Sequence, residues 1–228
     1  MAESDGTDLF GAGKIAKAIP AKAWVLLVKT ACVAFTDAIA PITATTSGVG
    51  RLISAKFDRL TDAEKILAAE VMSRAAEKAN RQSKNSRKRV KASVVIAAVE
   101  ACATETDEVL RQLWVNLLAK EMVVGEVHPE FPKILSRLSS LDAQVLAEIA
   151  ARDGDRSIEW RSIAISVAKT FATLMTVVSL AKPSEAGSFT HEHLDNLNLV
   201  TLKDGIWTLT QTGKAFIRVV AEEMGNER

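Results

Sequence analysis

The segment from Thr104 to Ala143 constrains the fold of this chain more than any other part of its sequence. Up to about Met122, its apolar residues recur every three or four positions, which places them on one wide stripe of an α-helix. Two shorter amphipathic helices are predicted directly after it, over 129–138 and from a capping Ser140 onward. Three such helices in tight succession predict an α-helical core.

The composition also favours a mainly α protein. Ala, Leu, Lys, Glu and Arg are abundant, Tyr is absent, and the 228 residues include only 5 Pro and 11 Gly. The apolar share of 48% and the charged share of 25% are those of a soluble globular protein. A chain of this length is long enough for one large or two small domains.

The N-terminal part of the chain is predicted to be disordered over 1–12 and to form an apolar helical region over 13–80. Its first helix, over 14–40, is unusually apolar, and we expect Pro41 to break or kink it. The small and polar residues 43–50 are predicted to form a turn or a loosely packed joint.

Two more helices are predicted in this region, over 51–60 and 62–80. Thr61 and Glu64 have the spacing of a capping box, in which the hydroxyl accepts from an N–H of the first turn and the carboxylate reaches back toward the cap. The sequence therefore sets the start of the second of these helices locally.

A basic segment over 81–91 is predicted to be an exposed linker and a domain boundary. It carries six cations and no acid, and it has no aromatic residue on which a base could stack. Three interpretations stay open: a solvated linker, a nucleic-acid site that contacts phosphates, or a site for an anionic protein or lipid surface. The candidate binding residues are Arg81, Lys84, Arg87, Lys88, Arg89 and Lys91.

The charge is distributed unevenly along the chain. Residues 1–91 hold 16 Lys and Arg against 9 Asp and Glu, whereas residues 92–228 hold 13 against 19. The front half therefore faces either an anionic partner or the rear half of the same chain.

The region 92–228 is predicted to be a helical domain that ends, over about 140–228, in a winged-helix-like module. Its sequence predicts a long apolar helix over 158–182. Asp204 and Gly205 lie between alternating apolar residues, which is a strong signal for a β-hairpin. Short helices before and after this hairpin are predicted over 189–199 and 212–223.

The setting predicted from the sequence is the reducing cytoplasm. Cys32 and Cys102 lie far apart, without the spacing of a metal site or a disulfide framework. The acidic N-terminus is unlike the start of a signal peptide. The longest uncharged run, Ala38 to Gly50, is 13 residues, shorter than the roughly 20 that a membrane span needs, so no span is predicted.

One block of residues resembles a known family. It reads Leu113-Trp114-Val115-Asn116-Leu117-Leu118-Ala119, then Val127-His128-Pro129-Glu130-Phe131, then Leu138-Ser139-Ser140-Leu141-Asp142-Ala143. The block is similar to the abortive-infection alpha (Abi-alpha) family of bacteria, and the similarity extends loosely over 92–228. The resemblance implies a helical architecture and defence against phage by arrest or death of the infected cell. It implies no reaction and no catalytic residue.

Structural roles are expected for the residues of this block. Trp114 is predicted to fill the core, Asn116 to satisfy the end of a neighbouring helix, and His128 to cap a helix or to orient it by a hydrogen bond. The motif residues interpreted in this way are Trp114, Asn116, Leu117, Leu118, His128, Pro129, Phe131 and Asp142.

The sequence indicates no catalytic, cofactor or metal site. His191 and His193 are two residues apart, so on a helix they point in different directions and cannot chelate one metal. A cluster of acids suits helix starts and solvated faces better than a paired-carboxylate mechanism; it comprises Glu100, Glu105, Asp107, Glu108 and Glu121.

The helix over 14–40 is the remaining candidate for a binding surface. Its apolar residues could contact a partner or a second copy, pack in the chain's own core, or lie on a membrane beside the flanking lysines. The candidate interface residues are Trp24, Leu26, Leu27, Val28 and Phe35. We therefore expect a non-enzymatic phage-defence protein that acts by protein binding or self-association, with a nucleic-acid effector and a membrane effector as alternatives.

Overall fold

The computed structural model describes residues 20–45, 47–82, 90–152 and 186–221. In these ranges the chain forms nine α-helices and one two-stranded antiparallel hairpin. In chain order the elements are α1 (Ala21–Thr45), α2 (Ser47–Asp58), α3 (Asp62–Gln82), α4 (Ala92–Cys102), α5 (Glu108–Val124), α6 (Phe131–Leu135), α7 (Ser140–Arg152), α8 (Ala186–Asn196), β1 (Val200–Lys203), β2 (Ile206–Leu209) and α9 (Gln211–Val220). The predicted mainly α fold is confirmed.

Helix α5 is the centre of the molecule. It packs against α3, α4, α6, α7 and α9. Contact on several sides explains why this helix is apolar over a wide arc, with Trp114, Leu117 and Leu118 almost fully buried. Helix α1 lies further out, packed on α2 and α3, and α2 in turn packs on α4.

Local sequence signals set several helix ends as predicted. The Thr61 N–H donates to Glu64 Oε2 at 2.7 Å and the Glu64 N–H donates back to Thr61 Oγ1 at 3.4 Å, which is the capping box of α3. The Asp107 carboxylate accepts from the first N–H groups of α5, and Gly125 ends that helix with a φ of 65°.

Pro41 was predicted to break or kink the first helix; the break is wrong, and the kink stays a prediction. Helix α1 continues through Pro41 to Thr45, and α2 begins at Ser47, so the predicted joint over 43–50 is mostly helical. The physical reason is tertiary packing: Ile39 and Ile42, on either side of the proline, are both buried. Burial of two such side chains, at roughly 1.5–3 kcal/mol each, offsets the cost of about 3 kcal/mol for an interior proline.

Two details of α6 and α7 also differ from the prediction. The short helix after His128 covers only Phe131–Leu135, and the cap of α7 is Ser139, whose Oγ accepts from the Asp142 N–H at 3.2 Å. Leu141 is exposed on the first turn of α7. The predicted long helix over 158–182 lies outside the described residues.

The C-terminal hairpin is confirmed at the predicted place. Leu202 pairs with Trp207 and Lys203 with Ile206, and the turn residues Asp204 and Gly205 have φ values of 51° and 76°. Two successive positive φ angles match the twist of a tight hairpin. Helix α8 precedes the hairpin and begins three residues before its predicted start. Helix α9 follows the hairpin and begins one residue before its predicted start.

Helix α9 lies very close to Leu199, in the connection between α8 and β1. A Cβ at Gly213 would lie 2.0 Å from the carbonyl oxygen of Leu199, a distance that only glycine permits. The Thr210 hydroxyl accepts from the Gly213 N–H at 2.9 Å and so caps the same turn.

The predicted domain boundary at 81–91 stays a prediction. Helix α3 runs to Gln82, residues 83–89 lie outside the described ranges, and Val90 is buried. Among the described residues, the buried side chains before and after this segment belong to one hydrophobic cluster, because α3 packs directly on α5.

Candidate interaction surface

Helix α1 presents apolar side chains to solvent along much of its length. Val25, Leu26, Leu27 and Val33 are 52%, 65%, 41% and 61% exposed, and we call these four residues the α1 surface. Scattered exposed apolar residues are ordinary, but a contiguous exposed apolar patch marks an interaction site. Leu26 and Val33 lie on one side of α1, and Val25 and Leu27 point about 100° to either side of Leu26.

The opposite side of the same helix is fixed in the core. Phe35 stacks on Phe57 of α2 with ring centroids 3.7 Å apart, and Ile39 and Ile42 are buried beside them. The α1 surface is therefore held on a helix that is already anchored, and a partner would not have to order it.

A shallow groove runs beside the α1 surface, between α1 and α3. Its volume is about 490 Å³, and its floor and walls include the small residues Ala23, Ala34 and Ala69 beside Leu26 and Leu27. Small residues in a groove next to protruding leucines give the shape that a second helix fills by ridge-into-groove packing.

The predicted interface residues divide into two groups. Leu26 and Leu27 are exposed, Trp24 and Val28 are half-buried, and Phe35 is almost fully buried. Phe35 is therefore a core residue, because it lies nine positions from Leu26 and so about half a turn around the helix at roughly 100° per residue. Val25 and Val33 belong to the surface but were missed, although helical spacing places Val33 on the side of Leu26.

One stretch of the described residues, Ala21–Ala40, is long and apolar enough to cross a membrane by length and composition, and 22% of it is buried. No span was predicted from the sequence, because Lys22, Lys29 and Asp37 divide this stretch into short uncharged runs. The Thr30 and Thr36 hydroxyls donate to the Leu26 and Cys32 carbonyls at 2.9 and 2.8 Å, so helix backbone satisfies both.

The basic segment is described only at its two ends. Arg81 is exposed on the last turn of α3, whereas Lys84, Arg87, Lys88 and Arg89 lie outside the described residues. Lys91 is half-buried, and its Nζ donates to the Val127 carbonyl at 3.0 Å. Lys91 thus has a structural contact of its own, and the binding role of this segment stays a prediction.

The family-motif residues on α5 hold the core together. Trp114, Leu117 and Leu118 are buried as predicted. Asn116 satisfies a neighbouring helix end: its Nδ2 donates at 2.7 Å to the carbonyl of Val220, the last residue of α9. Its Oδ1 accepts from Lys78 Nζ of α3 at 2.7 Å, so one buried side chain joins three helices.

The motif residues after α5 shape the turns around α6 and α7. His128 Nδ1 accepts from the Glu130 N–H at 3.2 Å, which is the orienting role predicted for it. Pro129 is exposed, and Phe131 is buried edge-on against Phe216 of α9 at 5.5 Å. Asp142 accepts from the Ser139 N–H at 2.8 Å and closes the cap of α7.

Buried ionisable groups have structural partners. Arg111 is 3% exposed; it pairs with Glu70 of α3 and donates to the Glu105 carbonyl at 3.1 Å. Glu121 is fully buried and accepts from the Lys91 and Val127 N–H groups at 2.5 and 3.0 Å. Burial raises the pKa of Glu121 above its ordinary value of 4.5, while the two N–H donors act in the opposite direction.

The other acids of the sequence cluster also have structural contacts. Glu100 pairs with Lys56, Glu105 accepts from the Asp107 N–H at 2.9 Å, and Glu108 pairs with Arg74 at 2.7 Å. Burial raises the pKa of the Cys102 thiol to about 12, which suppresses its reactive thiolate form.

The two neighbouring histidines diverge on α8. The His191 ring lies 5.3 Å from Trp207, whereas His193 stacks on Phe189 at 6.2 Å and its Nε2 lies 3.0 Å from the Arg137 carbonyl oxygen. The described residues contain no group of three His, Cys, Asp or Glu side chains that could hold a metal ion.

A second groove, of about 840 Å³, lies between the α5–α6 connection and the first turn of α9. Its walls carry charges of both signs, including Lys120, Glu126, Arg137 and Arg218. Mixed charge gives this groove no preference for an anionic or a cationic ligand.

Comparison with known proteins gives one match. The family model described as "Abortive infection alpha" matches residues 62–220, which is more than half of the 228 residues and begins at α3 rather than at the expected 92. Neither a curated protein nor a solved structure matches the chain. Helices α1 and α2 precede the matched range, whereas the α3 wall of the groove falls within it. The chain belongs to the abortive infection alpha family.

Proposed function

We propose that this protein acts in abortive infection by binding protein, through self-association of the α1 surface, rather than by catalysis. The observation that carries the proposal is the exposure of four large apolar side chains on a helix whose other side is anchored in the core. Full burial of a Val or Leu side chain stabilises a complex by roughly 1.5–3 kcal/mol, so this surface is costly to leave in water.

The anchoring of α1 favours association between preformed surfaces. The Phe35–Phe57 stack and the buried Ile39 hold the helix in place. Association would therefore lose little backbone entropy, which leaves more of the apolar gain to offset the lost translational and rotational freedom.

A membrane effector is the second candidate, because Ala21–Ala40 has the length and composition of a membrane span. Crossing a bilayer would require removing Phe35 and Ile39 from the core, and it would bury Lys29 and Asp37 in hydrocarbon. A helix lying on an anionic membrane avoids both costs, with Lys22 and Lys29 near the headgroups.

The test compares two variants for protection of the native host against phage. Leu26→Asp/Leu27→Asp places charges in the α1 surface, and the matched control Leu202→Asp/Ile206→Asp places them on two exposed apolar residues of the hairpin. At equal protein levels we expect the first variant to lose protection and the control to keep it. Full protection by the first variant would contradict the proposal.

Vesicles separate the two candidates. Self-association predicts that the wild type does not co-sediment with vesicles of mixed phosphatidylserine and phosphatidylcholine. Co-sedimentation that Leu26→Asp/Leu27→Asp abolishes and the hairpin control leaves intact would favour the membrane effector instead.

A further inference from the structure

The exposed side of α1 carries a symmetric pattern of residues. Lys22, Leu26, Val33 and Asp37 are all exposed, and at roughly 100° per residue they lie within about 60° of one another around the helix. Lys22 and Asp37 lie equally far from the midpoint between Lys29 and Thr30, and so do Leu26 and Val33. Read from Asp37 back to Lys22, the stripe therefore has the same spacing as in the forward direction, with the two charges exchanged.

We propose that the partner of this surface is a second copy of the chain, docked with its α1 antiparallel across a two-fold axis near Lys29 and Thr30. The inference rests on the proposed function and adds its geometry. Lys22 of each copy then faces Asp37 of the other, and Leu26 of each faces Val33 of the other. Such an isologous contact closes on itself as a dimer.

Charge selects the antiparallel arrangement over the parallel one. Parallel helices would place Lys22 against Lys22 and Asp37 against Asp37, and like charges in contact are repulsive. Within the described parts of the chain, neither Lys22 nor Asp37 takes part in an ion pair. Both are therefore available to a partner.

The groove beside α1 accommodates the close approach that this pairing needs. Ala23, Ala34 and Ala69 leave a hollow next to the ridge formed by Leu26. With Leu26 of each copy against Val33 of the other, these small residues leave room at the edge of the contact for the two helices to approach closely. A membrane fits this surface less well, because Asp37 would face anionic headgroups.

Lys29 is the unfavourable residue of this arrangement. It is exposed and lies beside the two-fold axis, so the two copies bring their Lys29 ammonium groups near each other. Its flexible stem lets the ammonium turn outward, but part of the repulsion stays. Removing this charge should therefore tighten the dimer.

Charge reversal tests the inference. Sedimentation equilibrium at low salt should show that the wild type is a dimer. Lys22→Asp and Asp37→Lys should each raise the dissociation constant of the dimer at least about tenfold, because each reversal makes two attractive pairs repulsive. An equimolar mixture of the two variants should form a heterodimer of near wild-type affinity. The double reversal Lys22→Asp/Asp37→Lys should restore the homodimer, and Lys29→Ala should strengthen it.

The outcomes separate this inference from the proposed function. A wild type that stays monomeric at all concentrations would overturn both. A dimer that is unaffected by either single reversal would overturn only the antiparallel docking. Because all three positions are exposed, we expect every variant to keep the circular-dichroism spectrum of the folded wild type. Were one reversal to unfold the chain, Lys29→Ala would still decide, since a dimer that it weakens contradicts the two-fold axis.

Discussion

Asn116, at the centre of α5, donates a hydrogen bond of 2.7 Å to the carbonyl oxygen of Val220, at the end of α9, 104 residues further along the chain. The carbonyl groups in the last turn of a helix have no partner within that helix. The Asn116 amide satisfies one of them inside the core, and its carbonyl oxygen also accepts from Lys78 and Gln112 at 2.7 and 3.0 Å.

Replacement of Asn116 should therefore destabilise the whole fold. We expect Asn116→Leu to lower the free energy of unfolding by roughly 1–3 kcal/mol, because it leaves a buried carbonyl without a donor. Urea denaturation measures the change, with exposed Asn196→Leu on α8 as the control. If Asn116→Leu lowered the free energy of unfolding no more than Asn196→Leu does, the hydrogen bond from Asn116 to Val220 would contribute nothing to stability.

One substitution should have opposite effects at two glycines. Gly213→Ala places a methyl group 2.0 Å from the Leu199 carbonyl oxygen, so α9 must move away from the connection between α8 and β1. We expect the free energy of unfolding to fall by about 2 kcal/mol or more. A Cβ at Gly48, in the first turn of α2, would meet nothing within 4 Å. Alanine is preferred to glycine within a helix by up to roughly 1 kcal/mol, so this variant should be slightly more stable. Thermal melting should show a lower Tm for the first variant and a higher one for the second; equal shifts would contradict the close approach.

Glu121 should make stability depend on pH in one direction. Its pKa is raised in the folded chain, so the folded state holds this proton more tightly than the unfolded state does. Its contribution is fully present below the unfolded value, near 4.5, and is lost as pH rises through the higher folded value. Glu121→Gln, which cannot ionise, should lack this loss.

The measurement is the free energy of unfolding of the wild type and of Glu121→Gln from pH 4 to neutral pH. Wild-type stability should fall relative to that of the variant as pH rises through this window. Parallel profiles would show that burial does not hold the proton on Glu121.

The nucleic-acid alternative makes a separate prediction. If the protein acts through α1, Arg87→Ala/Lys88→Ala/Arg89→Ala should leave phage protection unchanged. Salt-sensitive RNA or DNA binding in a filter assay, lost in this variant together with protection, would favour the basic segment instead.

The elements that the sequence predicted correctly depend on short-range chemistry. The Thr61–Glu64 capping box, the Asp107 cap and the Asp204–Gly205 turn each involve groups within a few residues of one another. The helical period likewise identified Trp114 as a core residue. Such features can be inferred from sequence because no distant residue is needed to produce them.

The errors have the opposite origin. Helix α1 continues through Pro41 because Ile39 and Ile42 are buried by other helices, and a local rule does not include that burial. Phe35 and Leu26 are both apolar residues of one helix, and only the position of α2 decides that Phe35 is inside and Leu26 outside. The family resemblance indicated the biological setting. The candidate interaction surface could be identified only from the packing of α1 on its neighbouring helices.

The concentration dependence of the mass of the purified chain tests the central claim most directly. Sedimentation equilibrium should show self-association of the wild type and of the hairpin control Leu202→Asp/Ile206→Asp. The α1 variant, Leu26→Asp/Leu27→Asp, should be a monomer. An α1 variant that associates as strongly as the wild type would contradict the claim that this surface is where the protein acts.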